Sequence, residues 1–287
     1  MAFIVRKIAV YLECMRSRAR ALSYAWATII GSMIASRGMP PIIPSLKATL
    51  AMTAVGLGVY IFNDVMDLEN DRINRVNRPI ARGEVSPKEA IGLVLMLYLI
   101  AVGLSISINS ETFLLCAAAM MLGLAYSTPP VQLKKRFLLK QLTVAVGALI
   151  SNLMGGAAIG VLNWRVLFAG LMFFAYAFAL SPIVDLGDMK GDKAVGKKTF
   201  PVVLGPKLTV RLAIIIIILV MVGGVVGYYQ LGFNAALPIL VSIVCLAYIW
   251  IIYPLQYQLS RVDHLLLVKK MIALHLTLQF SIVIGAL

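Results

Sequence analysis

Asn63 to Gly83, NDVMDLENDRINRVNRPIARG, sets four acids (Asp64, Asp67, Glu69, Asp71) and four arginines (Arg72, Arg75, Arg78, Arg82) directly behind a long apolar run. Charge at that density beside apolar sequence needs a chemical reason. Asn63, Asp67 and Asp71 recur every fourth residue, so a helix carried on from Leu50 to Phe62 would stack their side chains on one face. Carboxylates stacked at that spacing repel one another unless a cation lies between them. Mg²⁺ suits the pattern, because it takes one or two carboxylates from a protein and fills its shell with water and phosphate oxygens. The stretch therefore reads as half of a metal-diphosphate site, with Asn63, Asp67 and Asp71 as metal ligands. Asp64 lies one position off that face and is expected to orient a neighbour such as an arginine.

The other half comes much later. DLGDMKGDKAVGKKT, Asp185 to Thr199, also follows a long apolar run and again places acids four apart at Asp188 and Asp192, with Asp185 three before. Seven of the twelve acids in the chain fall in these two short segments. Both are interleaved with cations, the second with Lys190, Lys193, Lys197 and Lys198. Acids alone would bind a metal; acids with cations suit a metal and a polyanion together.

Asn63-Asp64-x-x-Asp67-x-x-x-Asp71, followed by Asn74, Arg78-Pro79 and Gly83, and then Asp188-x-x-x-Asp192-x-x-x-Gly196 with Thr199, resembles the two aspartate-rich motifs of the UbiA superfamily of intramembrane prenyltransferases. Motif order, motif separation and the apolar segments between them extend the resemblance over most of the chain. It implies an all-α, multi-pass membrane fold around a central cavity and an enzyme that uses Mg²⁺ to ionise a polyprenyl diphosphate. It also implies a tyrosine and a lysine on the diphosphate. Tyr126 and Ser127 begin YSTPPVQLKKR, in which Lys134 and Lys135 follow eight and nine residues after the tyrosine, with Pro129-Pro130 between. That spacing departs from the family's shortest pattern and leaves open which lysine makes the contact. Within the superfamily, DRINRVNRPIARGEVS and DMKGDKAVGKKTFPVVLG look most like enzymes that add geranylgeranyl to geranylgeranylglyceryl phosphate in archaeal ether-lipid synthesis. Aromatic acceptors of quinone, chlorophyll or haem synthesis are the alternative the resemblance allows.

Composition points to a bilayer without any resemblance. With 61% apolar residues and a mean hydropathy of +0.94 over 287 residues, the chain is far more apolar than a soluble domain. Nine apolar runs approach the ~20 residues a membrane helix needs: Ala21 to Ser36, Leu46 to Phe62, Ala90 to Ile108, Thr112 to Tyr126, Leu142 to Leu162, Val166 to Val184, Leu212 to Tyr229, Ala235 to Tyr253 and Leu265 to Leu287. They are expected to form one integral-membrane domain over residues 1–287. The apolar stretch after Arg6 and Lys7 stops at Glu13, too soon for a cleavable signal. A net charge of +14 would suggest nucleic acid in a soluble protein; here the positive-inside rule accounts for it. With the N-terminus in the cytoplasm, 23 of the 26 lysines and arginines fall in cytoplasmic segments, leaving only Arg37, Lys47 and Arg165 outside. Both aspartate motifs then face the cytoplasm of a cell-membrane protein.

The remaining features carry less chemistry. Met1 to Arg20 reads as a basic amphipathic helix at the headgroup boundary, with Arg16, Arg18 and Arg20 as candidates for an anionic acceptor. Gly155-Gly156-Ala157-Ala158 reads as a close helix crossing, and Asn152 either lines a cavity or hydrogen-bonds a neighbouring helix. His275 is expected to bond a neighbour, and Cys14, Cys116 and Cys245 to pack without forming a disulfide framework.

A prenyl diphosphate presents an apolar tail, a highly charged leaving group and an allylic C–O bond that ionises once that charge is neutralised. Asp67, Asp71, Asp188 and Asp192 are the catalytic candidates, holding Mg²⁺ with Asn63. Arg78, Tyr126, Ser127, Lys134, Lys135 and Lys193 are the candidates for the diphosphate, and Asp64 and Asp185 for orienting their neighbours. Donor, lipophilic acceptor and bilayer are the expected partners. A secondary transporter would place charge near the bilayer midplane, whereas these acids sit at span ends. A CDP-alcohol phosphotransferase would carry its acids in one continuous motif.

Overall fold

Each of the nine apolar runs falls mostly within one helix of the computed structural model, which describes residues 2–16, 19–73, 75–194, 196–257 and 263–287; the run Leu142 to Leu162 outlasts its helix by four residues. Asn74 and Arg18 lie outside the described residues, as do the side chains of Arg16 and Arg20. Among the described residues are eleven α-helices and no strand. They are α1 (Ala2–Arg16), α2 (Ala19–Ser36), α3 (Ile42–Met66), α4 (Leu68–Ile73), α5 (Pro87–Ile106) and α6 (Ser110–Ser127), then α7 (Leu139–Ala158), α8 (Trp164–Ala194), α9 (Phe200–Leu231), α10 (Ala236–Ile252) and α11 (His264–Ala286). Eight of these, α3 and α5 to α11, are long and apolar enough to cross a membrane. The ninth expected span, α2, is shorter in its apolar part, Leu22–Ser36, but is inside the bundle: Ile30 and Ile34 are fully buried.

Side chains pack in two clusters. One joins α2, α8, α9, α10 and α11 around Ile30, Phe173, Tyr176, Ile217 and Tyr248; the other joins α3, α5, α6 and α7 around Met52, Ile61, Tyr98 and Met154, and takes in Cys14 of α1. Helices α2 and α7 lie between the clusters at a crossing that only glycine permits. A Cβ on Gly155 would collide with the Thr28 carbonyl, and one on Gly31 with the Asn152 carbonyl. Backbones that close can bond across the crossing, and the Ser32 hydroxyl donates to the Gly155 carbonyl at 2.9 Å. Asn152 bonds a neighbouring helix, its amide donating to the Val166 carbonyl of α8 at 2.8 Å. His275 lies 3.1 Å from Gln279 and stacks on Tyr176.

Local sequence sets the helix ends that position the motifs. Ser86 and Glu89 form a capping box at the start of α5, with Pro87 at its first position. Asn109 caps α6 by accepting from the Thr112 N–H at 2.8 Å. Pro182 cannot donate within α8, and the Tyr248 hydroxyl of α10 donates to the nearby Ala179 carbonyl at 3.1 Å. Arg165, one of three cations expected on the outer side, donates to the carbonyls of Leu231 and Gly232 at the C-terminal end of α9. Because α3, α6 and α8 run the same way through the bundle, both acidic motifs and the Tyr126 to Arg136 loop arrive at one end of it.

Candidate active site

The first motif is not one unbroken helix. Asp67 closes α3 in a non-helical conformation (φ −98°, ψ 5°), and α4 begins at the next residue. The four-residue hydrogen-bond step survives the break: the Asp67 N–H donates to the Asn63 carbonyl at 2.9 Å and the Asp71 N–H to the Asp67 carbonyl at 2.8 Å. The break nevertheless divides the expected three-oxygen stripe. Asn63 and Asp67 share the Lys134 ammonium at 2.9 and 2.7 Å, while Asp64 and Asp71 share one nitrogen of Arg78, also at 2.9 and 2.7 Å. Asp64 thus holds the arginine, and Arg78 reaches both turns of the motif.

The second motif is continuous, with Asp185, Asp188 and Asp192 all within α8. Asp185 is buried and accepts from Lys140 at 2.6 Å and Gln141 at 3.0 Å, both on the first turn of α7. Asp192 accepts from Lys197 at 3.0 Å through one oxygen; its other oxygen, Oδ2, is buried without a hydrogen-bond partner. Asp188 stands exposed, with no ion-pair partner among the described residues. The two motifs end alike. The N–H groups of Val76 and Arg75 return to the carbonyls of Asp71 and Arg72 at 2.9 and 3.2 Å, and those of Lys197 and Gly196 return to Asp192 and Lys193 at the same distances. This Schellman stop needs positive φ at its turning residue: Gly196 has 70° and Arg75 has 51°.

What joins the motifs is a 3₁₀ turn, Leu133–Lys135. Its Lys134 lies on Asn63 and Asp67, its Lys135 carbonyl accepts from the Lys198 N–H at 3.4 Å, and Lys134 feels the charge of Lys197. One short turn therefore touches both acidic segments. Lys134 is only 6% exposed, and burial pulls its pKa below the usual lysine value against the opposing pull of Asp67. Ser127 is buried and donates to Asn63 at 2.9 Å, beside the lysine. Tyr126 sits in the last turn of α6, next to Ser127. The side chains of Lys135 and Lys193 point to solvent. Of the two adjacent lysines, Lys134 is the one within the motif.

Lys140, Gln141 and Lys197 complete this arrangement and are not picked out by motif spacing. Lys197 carries a local signal, five residues beyond Asp192; Lys140 and Gln141 carry none, since 45 and 44 residues separate them from Asp185. Among the described residues no three Asp, Glu, His or Cys side chains converge as a ready ion cage. Arg78, Lys134, Lys140 and Lys197 instead pair with Asp64, Asp67, Asp71, Asp185 and Asp192. The donor set still fits Mg²⁺: it consists of hard oxygens, and the orphaned Asp192 Oδ2 is a buried acceptor with no donor.

The sequence profile of the UbiA prenyltransferase family matches residues 24–265. A digeranylgeranylglyceryl phosphate synthase of Sulfurisphaera tokodaii is 30% identical over 78% of this chain and 80% of its own length. One from Saccharolobus solfataricus is 29% identical over 82% of each. Among solved structures, one of a digeranylgeranylglyceryl phosphate synthase in membranes superposes with a TM-score of 0.80 at 22% identity, covering 98% of this chain and 99% of that one. A UbiA homologue from Archaeoglobus fulgidus, bound to GPP and Mg²⁺, superposes at 0.70 with 20% identity over 95% and 99% of the two chains. At those identities the superpositions show a shared fold.

Proposed function

The chain belongs to the UbiA prenyltransferase family, and from that premise we propose that this multi-pass membrane enzyme transfers a geranylgeranyl group from its diphosphate to geranylgeranylglyceryl phosphate, with Mg²⁺ as cofactor. The observation that carries the reading is the Leu133–Lys135 turn touching both acidic motifs, because a single diphosphate can then be held from two sides. The named activity of relatives that align over about four fifths of their length supports the acceptor.

Asn63, Asp67, Asp71, Asp188 and Asp192 are the residues that would hold the metal. When bound, Mg²⁺ neutralises the leaving diphosphate as a Lewis acid. Lys134 has three donors and spends two on Asn63 and Asp67, leaving one for a phosphate oxygen. Arg78 spends one nitrogen on Asp64 and Asp71 and turns the rest of its fork to the same group. The carboxylates thereby aim the cations; as the allylic C–O bond breaks its electron pair goes to the diphosphate oxygen, and Lys134 and Arg78 stabilise the charge that develops there. The acceptor hydroxyl forms the new ether bond to the allylic carbon and loses its proton late, to the released diphosphate, so no strong base is required from the protein. Apolar helices around the site keep water from the allylic cation. Asp64 and Asp185 act by position, holding Arg78 and Lys140. The distribution of lysine and arginine supports a cytoplasmic location for this end of the bundle, where Mg²⁺ and the released diphosphate are soluble.

The test is purified protein with geranylgeranyl diphosphate, Mg²⁺ and a panel of geranylgeranylglyceryl phosphate, 4-hydroxybenzoate and dihydroxynaphthoate, with products read by mass. The glycerophosphate ether is the expected product, and EDTA should abolish it. A prenylated aromatic product alone would replace the acceptor assignment, and turnover under chelation would remove the metal.

A further inference from the structure

The four arginines of the first motif do not share one role. Arg78 is held by Asp64 and Asp71, and Arg82 by Asn77, Glu13 of α1 and Glu84. Arg72 and Arg75 are both exposed, and neither guanidinium has a hydrogen-bond or ion-pair partner among the described residues. A cytoplasmic loop tolerates unpaired arginines, but these two are not scattered. With Arg82 and Asn77 they line a single open pocket of about 360 Å³, and Asp71 lines it too. Arg82 is compensated by Glu13 and Glu84, which leaves Arg72 and Arg75 as two uncompensated guanidinium groups on one concavity, and an anion between them would relieve their repulsion. Arg75 also occupies a left-handed backbone position, where the matching residue of the second motif is glycine. A long cationic side chain is thus present where the backbone favours none.

We infer that this pocket binds a second anion beside the diphosphate, the phosphate monoester of the acceptor, with Arg72 and Arg75 as its ligands. The inference rests on the glycerophosphate acceptor proposed above. An acceptor carrying a phosphate near the reacting hydroxyl brings its own charge close to the leaving group, and one set of cations cannot neutralise both. Sharing Asp71 puts the pocket next to the metal-diphosphate residues without making it part of them. Its volume lies at the low end for a small-molecule site, about 300–1,000 Å³, so it accommodates a headgroup and leaves the C20 chain to the bilayer. Guanidinium is suited to the task because its planar fork pairs bidentately with phosphate. Glu13 of α1 holds Arg82, and through it one wall of the pocket.

The experiment compares geranylgeranylglyceryl phosphate with its phosphate-free alcohol as acceptors, in nanodiscs of phosphatidylcholine alone or mixed with phosphatidylglycerol. The variants are Arg72→Gln/Arg75→Gln and Arg72→Lys/Arg75→Lys. The glutamine pair should raise KM for the phosphate ester about tenfold to a hundredfold, leave KM for the donor and for the alcohol within twofold, and be partly rescued by the lysine pair. A rise in donor KM of the same size would move the arginines to the diphosphate and overturn the inference. An equal effect on both acceptors, or one that follows the phosphatidylglycerol content, would assign the pocket to a lipid headgroup and overturn it as well. A wild-type enzyme that does not prenylate the phosphate ester defeats the acceptor assignment and this inference together. A wild type that does, with variants of unchanged KM, defeats the inference alone.

Discussion

Replacing Lys134 by methionine removes one charge and nearly nothing else. The two side chains have similar length, and Lys134 is almost fully buried, so methionine fills the space. The ammonium makes hydrogen bonds of 2.9 Å to Asn63 and 2.7 Å to Asp67. Asn63 keeps its bond from Ser127, and the Asp67 side chain is 25% exposed and can recover water. Folding stability should therefore fall by only about 1 kcal/mol, far from the 3–5 kcal/mol of stranding a fully buried charge. The loss should appear in catalysis. A hydrogen bond to a charged group is worth about 1.5–3 kcal/mol, so losing the contact to the diphosphate should lower kcat/KM for the donor about tenfold to a hundredfold. A second effect has the opposite sign. While the ammonium lies on Asp67 it competes with any divalent cation for that carboxylate, so Lys134→Met should bind Mn²⁺ more tightly than wild type when no diphosphate is present. Mn²⁺ electron paramagnetic resonance titration and steady-state kinetics of diphosphate release measure the two effects. Donor kcat/KM within threefold of wild type, or metal affinity no higher than wild type, would refute the assignment of Lys134 as shared counter-ion.

Three other predictions follow from separate parts of the structure. Asp67→Ala and Asp188→Ala should each cut diphosphate release about a hundredfold or more; near-normal turnover would exclude the residue from the metal set. Asp188→Ala should leave the melting temperature nearly unchanged because its carboxylate is exposed, whereas Asp67→Ala should lower it by leaving the buried Lys134 ammonium without a carboxylate. Gly155→Leu should cost 3 kcal/mol or more, beyond the ~1–3 kcal/mol usual for overpacking, because the new side chain meets the backbone of α2 and not a flexible neighbour. Gly92→Leu on open surface is its control, and equal melting temperatures would refute the crossing. Arg75→Gly should raise stability by about 0.5–1 kcal/mol by relieving the left-handed strain, while weakening binding of the phosphorylated acceptor; a drop in melting temperature would contradict the backbone reading.

Periodicity carried much of this protein, and its limits were local. Spacing of four placed Asn63, Asp67 and Asp71 together, and the four-residue hydrogen-bond step is retained, yet the turn at Asp67 divided the oxygens between Lys134 and Arg78. No pattern in the sequence marks that turn. The offset position of Asp64 pointed to an arginine, and Arg78 is the one it holds. Lys134 and Lys135 were indistinguishable as neighbours in the sequence, because a 3₁₀ turn sends adjacent side chains in different directions and only packing decides which goes inward.

By itself the sequence determined the all-helical membrane architecture, the two acidic motifs and the side of the bundle they share. Each follows from composition, from helical period or from the parity of spans, and none depends on distant contacts. Tertiary structure alone decided which cation neutralises which carboxylate: Lys140 with Asp185, Lys134 with Asp67, Arg78 bridging two turns, and Arg72 and Arg75 on the wall of one pocket. Those pairings join residues up to 67 positions apart. They depend on how closely helices approach, which at the α2–α7 crossing rests on a missing Cβ and not on any period in the chain.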